Sequence, residues 1–555
     1  MGKNMQAYEI ISKYYDKYNK DTARCASDFL NNYHGKSRTE IKIKKIAVYY
    51  PVMNRGGVQR VISLLIPIFQ RKSYEIILIT EKISDEDYFV PEQVKRFVIT
   101  SEGQALTDKN SFGIRYKELE DILRSERVDL FLHHGVRQLL FVYDIMLAKT
   151  AGIYTVAEKH QVFTQGFCDV NDLFWVHLSA FRIVDALVVL STLEETYWRT
   201  FGINAFYIEN PMNEELKKAD CNGEKDSVSW AGRLDVYSKQ YFDILEIAAI
   251  VKRTHPEVKF RMYGSGSRGQ VRELMERIEE CGLQENVYFC GYETDITQMY
   301  KNTRIQLVTS AYEGFPMVVY ESKILGIPLV LYELPYLELL KNKLGYISVP
   351  RGDIAGAAAS ICRILDNPEL EKKLCDDAKV SIQEFSNEKV GQKWECLFCN
   401  IKNHVYCDEK NDEYDIILKT MHSHYAIAQK KYERLLWDSQ QAVLSFLVRK
   451  GLQNCRELVI CPFGKIGKRV KKMLNEKGIQ EAFIVDNGLA KIYPGIISME
   501  RLKKLDCSNY FFVICCEDEE LKKEFRRQLR ALCSDCNIIN YDTKLDEMEQ
   551  GCYIK

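Results

Sequence analysis

The sequence predicts an α/β protein with two doubly wound parallel-sheet domains and a third, smaller α/β domain at the C-terminus. Three observations lead to this prediction. Short, continuous apolar runs alternate with helical patterns over most of the chain, and polar stretches interrupt that alternation twice. A chain of 555 residues is also too long for a single hydrophobic core. Continuous apolar strands joined by helices are typical of parallel sheets covered on both faces.

The N-terminal residues 1–40 are predicted to form a helical extension. Apolar side chains recur there at steps of three and four, the spacing of one helix face. From Met1 to Lys45 the chain carries ten Lys and Arg against five Asp and Glu. This basic end could contact an anionic membrane surface peripherally, or it could pack on its own domain with its charged face in solvent.

The first doubly wound domain is predicted for residues 41–213 and the second for residues 214–400. Predicted strands of the first domain are 43–50, 75–80, 128–134, 154–160, 186–191 and 206–209. Those of the second are 227–232, 259–264, 287–292, 305–310 and 329–331. A charged helical linker is expected at 401–450, and a third alternation at 451–555 with strands 457–461, 482–486, 510–516 and 537–541.

Composition excludes several classes of partner. A formal net charge of -1 and a pI near 6.8 lack the strongly basic balance typical of nucleic-acid binding. No apolar run reaches the roughly 18 to 20 residues of a membrane helix, and the N-terminus lacks the apolar core of a signal peptide. We therefore expect a soluble, cytoplasmic protein.

The most informative segment runs from Tyr312 to Glu321. It follows a predicted strand, and Pro316 suits the first position of a helix because its missing N–H costs nothing there. A helix start offers unpaired amides and a partial positive charge, which favour a diphosphate. Glu313 lies just before that start and Glu321 one turn inside it, so the two could bind sugar hydroxyls on either side of a diphosphate. The alternative is a polar turn followed by a solvated glutamate.

Two cations are predicted at the same sheet edge as Glu313. Arg233 and Lys239 occupy the loop after the first strand of the second domain. Fixed positive charges there would stabilise the negative charge that develops on a departing phosphate. Taken one at a time, each residue is more simply explained as a surface charge.

These motifs together resemble the retaining glycosyltransferases of the GT-B fold, in particular family 4, over roughly residues 43–400. The resemblance implies that Glu313 contacts the donor sugar, that Glu321 holds the ribose, and that Arg233 and Lys239 clamp the diphosphate. The family spacing between these two cations is usually one residue shorter. His160, at the end of a strand, would contact the donor sugar, with His133 and His134 as rivals.

The same resemblance assigns further donor-binding positions on four loops. They are Gly56 and Gly57, Gly264 and Gly266, Gly291 and Tyr292, and the helix start formed by Gly314, Phe315, Pro316, Met317 and Val318. A pair of glycines after a strand is also common in ordinary tight turns.

The implied reaction is transfer of a hexosyl unit from a nucleotide-diphosphate sugar, a UDP-sugar, with retention of anomeric configuration. The expected acceptor is a glycan, a lipid-linked sugar or a polymer of the cell surface, which places the enzyme on the inner face of the plasma membrane. No cofactor is expected, because the nucleotide-sugar is itself the substrate. No metal is expected either, since helix amides and two cations supply positive charge and no Asp-x-Asp motif occupies a candidate loop.

The third domain carries a weakened dinucleotide fingerprint. Gly464 and Gly467 follow its first strand, but Pro462 replaces the first glycine of the motif. Asp486 ends the second strand, where an acidic residue would meet a ribose. A second nucleotide site and a purely structural accessory domain both remain open.

Other functions stay open on sequence alone. The chain could be another GT-B sugar enzyme, such as a phosphorylase or an epimerase, or a non-catalytic nucleotide-sugar-binding scaffold. An NAD-dependent activity of the third domain is disfavoured by its altered glycine turn.

Overall fold

The computed structural model describes residues 6–18, 21–33, 42–54, 56–163, 178–218, 223–402, 457–476, 479–516, 518–532 and 537–540. The chain divides into two compact units, residues 1–415 and 416–555. The first unit contains a seven-stranded and a six-stranded sheet, and the second contains a five-stranded sheet. Paired strands run parallel in all three sheets. This confirms the predicted α/β fold class.

The first lobe of the larger unit is built on a sheet of order β3-β2-β1-β4-β5-β6-β7. Its strands are β1 (Lys45–Tyr49), β2 (Glu75–Thr80), β3 (Lys95–Val98), β4 (Leu130–His133), β5 (Tyr154–Glu158), β6 (Ala186–Val189) and β7 (Ala205–Tyr207). Its helices are α1 (Ala7–Tyr18), α2 (Thr22–Asn32), α3 (Gly57–Arg71), α4 (Glu102–Ala105), α5 (Lys109–Ser125), α6 (Phe141–Thr150) and α7 (Thr192–Thr200).

The second lobe is built on a sheet of order β10-β9-β8-β11-β12-β13. Its strands are β8 (Ser227–Ala231), β9 (Lys259–Tyr263), β10 (Val287–Gly291), β11 (Thr303–Val308), β12 (Leu329–Tyr332) and β13 (Tyr346–Val349). Its helices are α8 (Val236–Lys239), α9 (Asp243–Val251), α10 (Arg268–Glu280), α11 (Ile296–Lys301), α12 (Met317–Leu325), α13 (Ile354–Asp366) and α14 (Pro368–Ser381), followed by the closing helix α15 (Asn387–Lys402). Short 3-10 turns occupy Glu214–Lys218 and Glu338–Leu340.

Both sheets of the first unit reverse their strand order at one place. In the first lobe the chain adds β2 on one side of β1 and β4 on the other, and in the second lobe β9 and β11 flank β8 in the same way. The loops after β1 and β4, and those after β8 and β11, therefore diverge at the carboxyl edge and leave a crevice. Ligands of doubly wound sheets bind in such crevices.

The chain crosses between the two lobes at two places, and one side chain ties these crossings together. The Asn387 amide accepts a hydrogen bond of 2.8 Å from the amide of Met212 and donates one of 3.0 Å to its carbonyl. Beyond Asn387, α15 returns to the first lobe, where the Trp394 ring meets the Phe69 ring edge-on at 5.3 Å.

The N-terminal extension forms two helices, α1 and α2, that pack on the first lobe. Ile11 and Cys25 are fully buried, and the Tyr15 ring stacks on Phe112 with centroids 3.9 Å apart. The amides of Ala7 and Tyr8 donate to the buried Glu120 carboxylate, which caps α1 from the first lobe. The apolar stripe is therefore used for packing on its own domain.

The C-terminal unit is a five-stranded sheet of order β16-β15-β14-β17-β18. Its strands are β14 (Glu457–Cys461), β15 (Glu481–Val485), β16 (Ile496–Ile497), β17 (Tyr510–Ile514) and β18 (Asn537–Asn540). Its helices are α16 (Lys465–Glu476), α17 (Met499–Leu502) and α18 (Glu519–Leu532), and 3-10 turns occupy Leu489–Lys491 and Cys507–Asn509. The predicted linker at 401–450 lies almost wholly outside the described residues, which resume at 457. Among the helices that the structure describes, none is long and apolar enough to cross a membrane.

Candidate active site

Glu313 lies in the loop between β11 and α12, and its carboxylate is held by groups from two loops. The Ser310 hydroxyl donates a hydrogen bond of 2.6 Å to Oε1, and Lys239 forms an ion pair with the same oxygen. The Tyr336 hydroxyl lies 2.9 Å from both the amide nitrogen and the carbonyl oxygen of Glu313. The Glu313 side chain is 13% exposed. A cation thus orients this carboxylate while solvent still reaches it.

The loop that carries Glu313 touches the first lobe at Gly314. A Cβ atom on Gly314 would lie 2.0 Å from the carbonyl oxygen of His160. His160 lies two residues after the end of β5. No larger residue fits there unless main chain moves. The predicted donor-binding loop of one lobe and the predicted histidine of the other are therefore direct neighbours.

The start of α12 differs by one residue from the prediction. Pro316 has φ -71° and ψ 106°, which is extended backbone, so it is the N-cap and the helix begins at Met317. The amides of Val319 and Tyr320 donate to the Pro316 carbonyl. Met317 and Val318 therefore supply the first two helix amides, whose orientation suits an anion. Phe315 is buried at this turn. The helix ends at Gly326, whose φ of 69° is left-handed.

The two predicted cations lie in the loop after β8. The Thr309 hydroxyl donates a hydrogen bond of 2.7 Å to the Lys239 carbonyl. This bond joins the loop to the end of β11. Arg233 is exposed, and its charge acts on Tyr50 of the first lobe. Burial raises the pKa of Tyr50, which follows β1, and the nearby charge of Arg233 partly offsets that rise. Both cations thus lie at the edge where the two lobes meet.

Glycines allow the neighbouring loops to approach closely. Gly264 has φ 143°, and a Cβ there would lie 1.7 Å from the carbonyl oxygen of Gly232. A Cβ on Gly266 would lie 2.8 Å from the Leu234 side chain. Gly291 has φ 73°, in the left-handed region that favours glycine. The loop after β9 therefore packs closely against the loop of Arg233, and the Gly264 amide donates a hydrogen bond of 2.7 Å to the Gly291 carbonyl.

Glu321 is 1% exposed and pairs with a residue of the other lobe. Its Oε1 lies 2.6 Å from Nη1 of Arg60, and Tyr300 donates a hydrogen bond of 3.0 Å to its Oε2. Burial raises the pKa of Glu321, while Arg60 and Tyr300 act in the opposite direction. Beside this pair, the hydroxyls of Tyr292 and Tyr88 are 2.6 Å apart and join the lobes a second time.

Gly56 and Gly57 open the helix that carries Arg60. A Cβ on Gly56 would lie 2.2 Å from the amide oxygen of Gln59, whereas a Cβ on Gly57 would meet no atom within 4 Å. The start of α3 is thus spacious on the Gly57 side, next to the contact between the lobes.

His160 belongs to a buried cluster with His134 and Glu158. Nδ1 of His134 and Nε2 of His160 are 3.0 Å apart, and Glu158 oxygens lie 3.4 Å from Nδ1 of His134 and 3.8 Å from Nδ1 of His160. Burial, with a contribution from Lys159, lowers the pKa of His160 to about 3. Burial also raises the pKa of Glu158 to about 8. The imidazole of His160 is therefore neutral at physiological pH.

This cluster has the chemistry of a metal-ligating group. One ligand atom from each of His134, Glu158 and His160 lies within 4.8 Å of the others, the one such group among the residues that the structure describes. Two imidazoles and a carboxylate could hold a divalent cation. The expectation that the reaction needs no metal stays a prediction.

His133, the other rival of His160, belongs to a separate network. Its Nε2 lies 3.1 Å from the buried Asp144, which in turn is 3.2 Å from the buried Arg115. Burial lowers the pKa of His133. This side chain is bound into the core of the first lobe.

In the C-terminal unit, the Asp486 carboxylate is bound by backbone amides of the turns after β14 and β15. Its carboxylate accepts hydrogen bonds from the amides of Phe463 at 3.1 Å and of Gly488 and Leu489 at 2.9 Å. The helix α16 begins at Lys465, so Gly467 lies in its first turn. There it approaches Pro462, whose carbonyl oxygen would lie 2.4 Å from a Cβ.

Gly464 has open space around its Cβ position. A cavity of about 770 Å³ in the same unit is lined by Asn487, Lys491, Lys503 and Arg527 among others, and by none of the three predicted residues.

Several contacts of the site were not predicted from the sequence. Arg60, Tyr300 and Tyr336 hold the two glutamates, and Glu158 lies behind His160. Arg60 and Glu158 stand within segments already singled out as a glycine turn and a strand end. Their partners lie on distant parts of the chain, so only the fold reveals the pairing.

Residues 212–380 match the family model described as glycosyl transferases group 1. The chain therefore contains a glycosyltransferase group 1 domain, and this stretch holds Arg233, Lys239, Glu313 and Glu321.

Among curated proteins, the chain is similar to GalNAc-alpha-(1->4)-GalNAc-alpha-(1->3)-diNAcBac-PP-undecaprenol alpha-1,4-N-acetyl-D-galactosaminyltransferase of Campylobacter jejuni. Identity is 23% over 372 residues, which cover 65% of this chain and 99% of that protein. It is also 28% identical over 159 residues to poly(ribitol-phosphate) alpha-N-acetylglucosaminyltransferase of Staphylococcus aureus, covering 28% of this chain and 32% of the relative.

Among solved structures, Anabaena Alr3699/HepE in complex with UDP and glucose superposes with a TM-score of 0.54 at 17% identity, covering 64% of this chain and 99% of that one. TarM superposes with a TM-score of 0.54 at 14% identity, covering 65% of this chain and 100% of that one. These similarities show the GT-B arrangement of the two lobes.

Proposed function

We propose that this protein is a retaining hexosyltransferase of family 4, which moves a sugar from a UDP-sugar to a glycan, a lipid-linked acceptor or a polymer. The observation that carries the proposal is the arrangement around Glu313. Its carboxylate is paired with Lys239, and the next residue, Gly314, touches His160 of the other lobe. Both lobes thus contribute to one site beside a helix start.

The positive charge needed for catalysis comes from groups already in place. As the glycosidic bond breaks, negative charge grows on the departing phosphate, and preorganised cations and amides stabilise it. Lys239, Arg233 and the first amides of α12 take this role in the proposal. The departing phosphate accepts the proton of the attacking acceptor hydroxyl, so neither a strong protein base nor a metal or cofactor enters the reaction.

Glu313 and His160 hold the donor sugar in the proposed complex. Glu313 accepts hydrogen bonds from sugar hydroxyls, and its ion pair with Lys239 orients the carboxylate next to the diphosphate. His160 is neutral at physiological pH because burial lowers its pKa to about 3, so it contributes no second positive charge. A neutral ring can donate or accept a hydrogen bond with a sugar hydroxyl.

Names of similar proteins support the substrate classes. The Campylobacter relative is named for an undecaprenol-diphosphate glycan, and the Staphylococcus relative for poly(ribitol phosphate). The Anabaena structure holds UDP and glucose. We propose a cytoplasmic enzyme working at the inner membrane face. Because Ile11 on the apolar stripe of α1 is buried, a membrane contact would use the basic residues of the segment 1–45.

The test is a panel of UDP- and GDP-sugars scored for nucleotide release in the presence of candidate acceptors, followed by the anomeric configuration of the product. Release from UDP-sugars with retention is expected. Glu313→Ala and Arg233→Ala should each lower turnover at least about a hundredfold, the typical cost of losing one charge-stabilising group. Undiminished release in both variants, or an inverted product, would refute the proposal.

A further inference from the structure

The contact between Arg60 and Glu321 joins the two lobes beside the start of α12. Arg60 lies in the first turns of α3 in the first lobe, and Glu321 lies in α12 of the second. Nη1 of Arg60 is 2.6 Å from Oε1 of Glu321, and the two side chains are 15% and 1% exposed. Burying a carboxylate is costly unless a cation or hydrogen bonds compensate. Arg60 supplies that compensation from the opposite lobe.

Both partners keep hydrogen-bonding capacity that the protein does not use. Nη2 of Arg60 and Oε1 of Glu321 are buried atoms with no hydrogen-bond partner. The 2.6 Å contact between Nη1 of Arg60 and Oε1 of Glu321 is an ion pair. Oε2 of Glu321, in contrast, already accepts from Tyr300. One unsatisfied donor and one unsatisfied acceptor thus stand side by side between the lobes.

This pair of groups matches the chemistry of a hydroxyl. A hydroxyl donates one hydrogen bond and accepts others, so it can donate to Oε1 of Glu321 and accept from Nη2 of Arg60 at once. A phosphate offers only acceptors and would leave Oε1 of Glu321 unsatisfied and repelled. A neighbouring diol, as in a ribose, can use both groups, and each bond is charge-assisted.

We infer that Arg60 is a ribose-binding residue of the first lobe, acting jointly with Glu321 on the sugar of the nucleoside diphosphate. This inference rests on the proposed function, and it extends the family resemblance, which implies only Glu321 as a ribose contact. It makes the nucleotide a ligand of both lobes. It also means that binding the nucleotide stabilises the closed arrangement, because the Arg60–Glu321 contact forms only when the lobes meet.

The experiment measures affinity for UDP and for 2′-deoxy-UDP and 3′-deoxy-UDP by calorimetry on the full chain. The unmodified protein should bind UDP at least about tenfold more tightly than one of the deoxy analogues, since hydrogen bonds to charged groups are strong. In Arg60→Ala this preference should fall at least about threefold, and Arg60→Lys should restore part of it. Arg71→Ala, an exposed arginine at the far end of the same helix, is the matched control and should behave like the unmodified protein.

Arg60→Ala leaves Glu321 buried without its cation, so the double variant Arg60→Ala/Glu321→Gln keeps the test valid if the single variant folds poorly. It should bind UDP and the deoxy analogues equally well. If the unmodified protein does not bind UDP, the proposed donor is wrong. If it binds UDP and Arg60→Ala or the double variant keeps the full preference for the complete ribose, the role of Arg60 is wrong while the proposed function stands.

Discussion

Glu313 of the second lobe and Asp486 of the C-terminal unit both follow strands at the carboxyl edge of a parallel sheet, yet their surroundings differ. Glu313 is bound by the Lys239 cation and the Ser310 hydroxyl. Asp486 accepts three backbone amides, one of them from the turn after β14. The first carboxylate is oriented by side chains, while the second is held by backbone amides. We therefore propose a chemical role for Glu313 and a stabilising role for Asp486.

The largest expected effect follows from replacing the Glu313 carboxylate. In Glu313→Gln the amide cannot pair with Lys239 or accept sugar hydroxyls through a charge, so turnover should fall about a hundredfold or more. The Tm should change little, because the side chain is near the surface. Steady-state kinetics and calorimetry measure the two quantities. Glu333→Gln, an exposed glutamate in the same lobe, is the control and should keep full activity.

A somewhat smaller effect is expected from the contact that brings Glu313 to the first lobe. Gly314→Ala places a methyl group 2.0 Å from the His160 carbonyl, so the lobes must separate slightly. We expect kcat/KM to fall about tenfold to a hundredfold, as for other small misplacements of catalytic groups. Gly113→Ala, whose Cβ meets open space in α5, should have no such effect. Equal activity of the two variants would show that the Gly314 contact is unimportant.

Asp486→Ala tests the other side of the comparison. Loss of its three acceptor contacts should cost the C-terminal unit about 1–3 kcal/mol. Hydrogen exchange measured by mass spectrometry should then be faster in segments containing Phe463, Gly488 and Leu489. Nucleotide release should stay normal, since this carboxylate has no place in the proposed site. A large loss of transfer activity with unchanged exchange would reverse the interpretation.

The smallest effect concerns Glu158, a buried carboxylate paired with neither a cation nor an amide. Its pKa is raised from 4.5 to about 8, so the folded protein binds its proton more tightly than the unfolded chain does. The associated stability is complete below about pH 4.5 and is lost as the pH rises toward 8. His160, with a pKa lowered to about 3, is neutral in both states above about pH 7 and does not interfere.

Glu158→Gln should abolish this loss of stability at rising pH. Between about pH 7 and 8.5 the Tm of the unmodified protein should fall relative to the variant by about 2–4 °C, corresponding to about 1 kcal/mol. Calorimetry across this range provides the measurement, with Glu333→Gln as the control. Parallel Tm curves for the unmodified protein and Glu158→Gln would mean that Glu158 titrates normally.

The interior strands of each sheet could be predicted from the sequence, because they are buried on both faces and appear as continuous apolar runs. Both β2 and β14 have the predicted bounds. The edge strands β3, β13 and β16 were missed. Lys95–Val98 shows why, since its four residues are half-exposed or exposed and carry no apolar run. The N-terminal extension was expected as one helical stripe, but it divides into two helices before Thr22.

The candidate site could be predicted only as a set of loops. Strand order brings the ends of β8 and β11 together, so the proximity of Lys239 to Glu313 followed from the fold class. The pairing of Arg60 with Glu321 could not be predicted from the fold class, because it depends on how the two lobes meet. The sequence also did not reveal that the Asp486 carboxylate accepts a hydrogen bond from the turn after β14. Its partners there are backbone amides, which every residue type can supply.

The Asn387 bridge to Met212 has a mechanical consequence. Two chain crossings fastened at one point act as a pivot, around which one lobe can turn but along which it cannot slide. A small angular opening there becomes a displacement that grows with distance from the pivot. Substrate would then enter and leave as one lobe rotates about this pivot. Each closure would bring His160 and Gly314 back into the same contact.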